Sequence, residues 1–196
     1  AILDKLNETG LSKRTLVMFF SDNGGAKHCK NTPLRGGKGS VWEGGHRVPA
    51  IAWWPGKIKP DKVSDDLAIT LDVMPTMLDL AGVEFPDDLK LDGVSLTALM
   101  LEGKSLGRRK LFWNGVAMRD GPWKLITKVR GKSSQSPSLY NVADDISEQK
   151  DIAAEHPERV EKMTAALEAW KKDVAKATSQ PDVPKGLPSH EKRKKR

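Results

Sequence analysis

Apolar positions along the chain fall into short compact runs and two spaced stripes. The run Thr15-Leu-Val-Met-Phe-Phe20 is continuous and ends in turn residues, the pattern of a strand buried on both faces of a parallel sheet. Val48 to Trp54 predicts a second strand, stopped by Pro55-Gly56. Ahead of both, Ala1 to Glu8 reads as the tail of an amphipathic helix closed by Gly10, so the chain is expected to begin in mid-protein. Between Asp72 and Ala81 the residues Met74, Met77, Leu78 and Ala81 share one helical face. Asp72 caps that helix, Pro75 lies in its first turn and Gly82 ends it.

Glu84 to Gly93 is acidic and turn-rich, the expected crossing into a second unit. A short helix over Ser95 to Leu101 stops at Gly103. Lys110 to Trp113 and Val116 to Arg119 read as strands, and Asp120-Gly121 signals a hairpin into Trp123 to Thr127. Ser138 to Tyr140 adds a strand after the flexible stretch Gly131 to Pro137. The last helix takes Pro157 at its first position and carries Val160, Met163, Leu167, Trp170 and Val174 as a core stripe. From Gln180 onward proline, glycine and charge predict disorder.

Composition changes this picture little. The chain has 196 residues, 30% charged and 38% hydrophobic, ordinary for a globular protein. No apolar run approaches the roughly 18 residues of a membrane span. Cys29 is the single cysteine, which excludes an internal disulfide framework. The net charge of +7 suggests a polyanion, but six Lys or Arg against Asp182 and Glu191 place four of those charges after Pro181. Nucleic acid is therefore not the expected partner, and the basic tail reads as a solvated end.

The chemistry-bearing residues cluster early, as Ser21-Asp-Asn-Gly-Gly25, Pro33-Leu-Arg-Gly-Gly-Lys-Gly39, Trp42-Glu-Gly-Gly-His-Arg-Val-Pro49 and Trp54-Pro-Gly56. In this order they resemble the sulfatase family, the formylglycine-dependent members of the alkaline-phosphatase-like superfamily. Asp72 to Gly82, Met118 to Leu125 and Leu139 to Gln149 are similar to the family's later motifs, with Asn141 and Ile146 as departures. The resemblance implies an α/β fold: the C-terminal portion of an alkaline-phosphatase-like sheet, then a smaller α+β subdomain with an antiparallel sheet and a C-terminal helix. Residues 1–83 are expected to form the end of the catalytic domain, 84–180 the subdomain and 181–196 a disordered tail. The implied reaction is hydrolysis of a sulfate ester to an alcohol and sulfate, and the implied ligand is a sulfated small molecule or glycan. A phosphoester or phosphonate hydrolase of the same superfamily, or a non-catalytic polyanion-binding module, is the alternative. A periplasmic or secreted location is implied as well.

Asp22 and Asn23 offer a carboxylate and an amide oxygen, hard ligands suited to Ca²⁺ or Mg²⁺ and not to a soft metal, and the resemblance favours Ca²⁺ over Mg²⁺. Read alone they are turn chemistry; read in the family pattern they match calcium ligands, with the remaining oxygens expected from outside this chain. Lys38, flanked by glycines, is either a solvated loop lysine or, by the resemblance, the catalytic lysine that contacts the sulfate. Arg35 could face the same anion or serve a structural pairing. His46 could bind substrate or relay a proton, or simply face solvent. Glu43 and Arg47, four residues apart, are expected to pair. No Cys-x-Pro or Ser-x-Pro followed by arginine occurs in the chain, and Cys29 precedes Lys30-Asn31-Thr32, so the formylglycine is expected in a missing N-terminal part.

Overall fold

A computed structural model describes residues 1–26, 28–84, 91–129 and 136–178. The expected disordered tail 181–196 lies outside these residues, as do 85–90 of the acidic crossing and 131–135 of the connection before the last strand.

The first unit opens with α1 (Ile2–Glu8), and β1 (Val17–Phe20) then pairs with β2 (Ala50–Trp53). The pairing is antiparallel, with Val17 opposite Trp53 and Phe19 opposite Ile51. The neighbour of β1 within this chain is therefore antiparallel, where a parallel one was expected. Phe19 and Ile51, cross-strand neighbours on one face, are 63% and 61% exposed. A short apolar run reports β propensity but neither the direction of its partner nor what covers it. Between the strands lie three glycine-rich turns and the four-residue helix α2 (Glu43–His46), which hydrophobic periodicity did not predict.

The helix α3 (Val73–Leu80) ends before Gly82, whose positive φ suits a glycine stop. Met74 and Met77, on the shared apolar face, are exposed within this chain, while Pro75, Thr76 and the preceding Asp72 are buried. Polar bonds fix the buried side. The Asp72 carboxylate accepts the N–H groups of Ile69 at 2.8 Å and Val94 at 2.9 Å, and both of its oxygens meet the Arg109 guanidinium at 2.7 and 2.8 Å. Thr76 Oγ1 donates to Asp72 O and accepts the N–H of Leu96, which opens α4 (Thr97–Glu102). Asp72 stands at the start of α3 but makes no side-chain bond to its first turn, as a cap would; its carboxylate instead joins Ile69, Val94 and Arg109.

The second unit is a meander of β3 (Lys110–Trp113), β4 (Ala117–Asp120), β5 (Trp123–Ile126) and β6 (Ser138–Asn141), all antiparallel in sequence order. Gly121, at φ 60, makes the predicted two-residue turn with Pro122. Strand alternation divides its side chains between two buried faces. Met118, Leu125 and Leu139 pack on Met163 and Leu167 of α5 (Pro157–Thr178), and the Phe112 ring stacks on Trp170 at 5.0 Å. Ala117, Ile126, Tyr140 and Val142 face the other way and pack on Val41 and Trp42 from the first unit. Each fully buried large apolar side chain contributes about 1.5–3 kcal/mol. The segment 41–43 is therefore a structural layer of the second unit, which joins the two halves of the chain.

Candidate active site

Three turns meet beyond the end of β1. Asn31 pins two of them: its Oδ1 accepts the Gly25 N–H at 2.9 Å, and its Nδ2 donates to Gly25 O and to Gly36 O, both at 3.1 Å. The Lys38 N–H donates to Gly25 O at 3.0 Å, and the Gly24 N–H to Gly45 O at 2.9 Å. These backbones touch because the residues are glycines. A Cβ on Gly24 would lie 1.7 Å from Gly44 O, and one on Gly44 would lie 2.5 Å from both Arg35 O and Gly36 O. Gly24 and Gly44 thus make room for neighbouring backbone, Gly24 for Gly44 O and Gly44 for the carbonyls of Arg35 and Gly36.

An open recess of about 520 Å³ results, lined by Gly25, Asn31, Gly37, Lys38 and Ser40, with Cys29 at its edge. Lys38 is exposed there, and its main chain is bonded to the turn that carries the exposed Asp22 and half-buried Asn23. Ser21 Oγ donates to Asn23 O at 2.8 Å and closes that turn. The donor chemistry of Asp22 and Asn23 fits a hard cation, but two residues supply only part of the six to eight oxygens Ca²⁺ takes. Among the described residues no group of three or more His, Cys, Asp or Glu side chains is placed to hold a metal.

Neither Arg35 nor His46, both expected to face the substrate, lines this recess. The Arg35 guanidinium lies 3.7 Å over the Trp42 ring and donates to Glu148 O at 2.7 Å. His46 stacks on Trp113 with centroids 4.3 Å apart, and its Nε2 is 3.1 Å from Val41 O. A carbonyl only accepts, so Nε2 carries a proton in this contact. Burial, reinforced by the positive charge of Lys124 and only partly opposed by Glu43, lowers the His46 pKa to about 4.

Sequence patterning missed the ionic cluster beneath these walls. Glu43, Lys124 and Glu148 are all fully buried. Lys124 Nζ donates to Glu43 Oε1 at 2.8 Å and lies 2.9 Å from Glu148 Oε1, a contact off the hydrogen-bond direction and held by charge. Arg119 reaches Glu43 Oε2 at 3.2 Å, and the expected Arg47 pairing spans 3.6 Å to the same oxygen. Burial alone would raise the Glu43 carboxyl, but Lys124 and Arg119 outweigh it and hold the group below its ordinary range. Glu148 shifts the opposite way, raised by burial that Lys124 only partly offsets. Lys124 and Arg119 are cross-strand partners on the β4–β5 face. Their alternation with Met118 and Leu125 was the one signal that both point towards the first unit.

Comparison with known proteins identifies one family of relatives. A family model described as Sulfatase matches residues 1–83. The chain is 36% identical over 143 residues to an arylsulfatase of Hemicentrotus pulcherrimus, covering 68% of this chain and 26% of that protein. It is 42% identical over 120 residues to an N-acetylgalactosamine-6-sulfatase of Mus musculus, covering 58% and 23%. The crystal structure of Ps i-CgsB in complex with k-i-k-neocarrahexaose matches at a TM-score of 0.75 and 30% identity, over 86% of this chain and 39% of that one. The chain thus spans between 23% and 39% of the length of these relatives. The implied fold class stands: an alkaline-phosphatase-like portion followed by an α+β unit with an antiparallel sheet and a C-terminal helix. With its ordered motifs, the turns they build and relatives named sulfatases in agreement, this chain belongs to the sulfatase family.

Proposed function

We propose that this chain contributes the C-terminal part of a sulfuric ester hydrolase, which cleaves R-O-SO₃⁻ to an alcohol and sulfate. The observation that carries the reading is the 3.0 Å bond from the Lys38 N–H to Gly25 O, which ties a glycine-flanked ammonium to the turn bearing Asp22 and Asn23. In this reading Asp22 and Asn23 hold Ca²⁺ with oxygens from outside these 196 residues. The cation, when bound, polarises and orients the sulfate group. Lys38 neutralises a sulfate oxygen and the charge that develops on transfer. Arg35 and His46 act on the site only through the segments they hold, Arg35 on Trp42 and Glu148 and His46 on Trp113 and Val41. The formylglycine would also come from outside this chain. The division of labour is proposed to fall at residue 83, with 84–180 as the supporting subdomain.

A sulfated glycan is the proposed substrate class, since relatives include an N-acetylgalactosamine-6-sulfatase and a protein solved with neocarrahexaose. Action outside the cytoplasm, in a periplasm or after secretion, is proposed on the resemblance. No helix among the described residues is long and apolar enough to cross a membrane. The test is sulfate release by the intact enzyme from N-acetylgalactosamine 6-sulfate and para-nitrophenyl sulfate, beside para-nitrophenyl phosphate. Calcium-dependent release from a sulfate ester is expected; turnover of the phosphate ester alone would reject the reading.

A further inference from the structure

Glu148 has a left-handed backbone, with φ 50, although it is not glycine. Such residues persist only where their surroundings over-determine them, and they cluster at functional sites. Both ends of Glu148 are committed to the first unit. Its carbonyl accepts the Arg35 Nη1 hydrogen at 2.7 Å, and its buried Oε2 accepts the Glu43 N–H at 2.7 Å. Its neighbour Ser147 donates from Oγ to Pro33 O at 2.8 Å. The left-handed turn lets one residue aim main chain and side chain at two segments, and Lys124 holds the carboxylate in place.

The bonds continue from there. Arg35 O accepts the Gly44 N–H at 2.8 Å, Gly45 O accepts the Gly24 N–H at 2.9 Å, and Gly25 O accepts the Lys38 N–H at 3.0 Å. We propose that Glu148, backed by Lys124, is a positioning residue of the candidate active site: through Arg35 and Glu43 it sets the relative placement of the Asp22–Asn23 turn and the Lys38 loop. It bonds to none of those three residues. The proposal rests on the reading of that recess as the active site. It makes the subdomain part of the catalytic geometry, since the apolar faces of β3–β6 already hold the sheet without Glu148.

Amide hydrogen exchange of the intact enzyme tests this, with the wild type, Glu148→Ala, Glu148→Gln and Lys38→Ala compared. Glu148→Ala is expected to speed exchange at the Gly24 and Lys38 amides at least tenfold while Leu125 and Ile126 in β5 keep wild-type rates. Its kcat on para-nitrophenyl sulfate should fall at least tenfold with KM within threefold. Glu148→Gln, whose amide oxygen still accepts the Glu43 N–H, should recover kcat to within threefold of wild type. Unchanged exchange at Gly24 and Lys38, or equal acceleration throughout β3–β6, would overturn the proposal. If Glu148→Ala does not fold, Glu148→Met, which keeps the side-chain volume but removes the acceptor, is judged by the same tenfold exchange criterion. Full activity in Lys38→Ala would instead remove the active-site reading and leave the exchange result standing.

Discussion

Lys124 in β5 and Glu43 at the start of α2 form a wholly buried ion pair, Nζ to Oε1 at 2.8 Å, across the junction between the sheet and the glycine-rich turns. A buried ammonium is tolerable only with its charge met, and here two carboxylates meet it. Lys124→Met keeps much of the side-chain volume but leaves Glu43 and Glu148 facing each other without that cation. The expected loss is about 3–5 kcal/mol of unfolding free energy, read by denaturant titration. A loss below about 1 kcal/mol would show that solvent or Arg119 takes over.

His46 gives the fold a pH dependence of definite sign. Its native pKa of about 4 lies below the ordinary 6.5, so between those values the unfolded chain binds a proton that the folded one does not. Stability from this residue is therefore complete above pH 6.5 and is lost as pH falls towards 4. The expected amount is on the order of 3 kcal/mol. Melting curves of the wild type and His46→Gln should diverge across that window, with the shallower slope in the variant. Parallel slopes would contradict the buried neutral ring.

Gly24 makes the turn geometry testable without touching a charged group. In Gly24→Ala the new Cβ would overlap Gly44 O, so the Asp22–Asn23 turn or α2 must move. Misplacement of catalytic groups by about 1 Å costs on the order of a hundredfold in rate. A drop of that size in sulfate-ester turnover, with the four-stranded sheet preserved in circular dichroism, is expected. Wild-type turnover would mean that the Gly24–Gly44 contact does not hold the site.

The second unit was largely legible from sequence because its signals are local. Alternation in 117–126, the Asp120-Gly121 turn and the Met163–Leu167 stripe each specify one element, and the elements pack where their apolar faces point. The first unit was not, for two physical reasons. Its apolar runs could not report their partners, so Phe19 and Ile51 stand exposed where a covered strand was expected. In α3 polar bonds from Asp72 and Thr76 decided which face turned inward, against the periodicity of Met74 and Met77. Asp22, Asn23 and Lys38 were legible as motifs. The bonds that Asn31 makes to Gly25 and Gly36, and Glu148 to Arg35 and Glu43, were not, because spacing does not reveal such partners.

Lys38 carries the central claim, and its removal tests that claim most directly. In the intact enzyme, turnover of para-nitrophenyl sulfate by Lys38→Ala is compared with wild type, with melting temperature measured alongside. The account predicts a fall in kcat of at least a hundredfold at an unchanged melting temperature, as for loss of a group that stabilises transition-state charge. Turnover within twofold of wild type would contradict it.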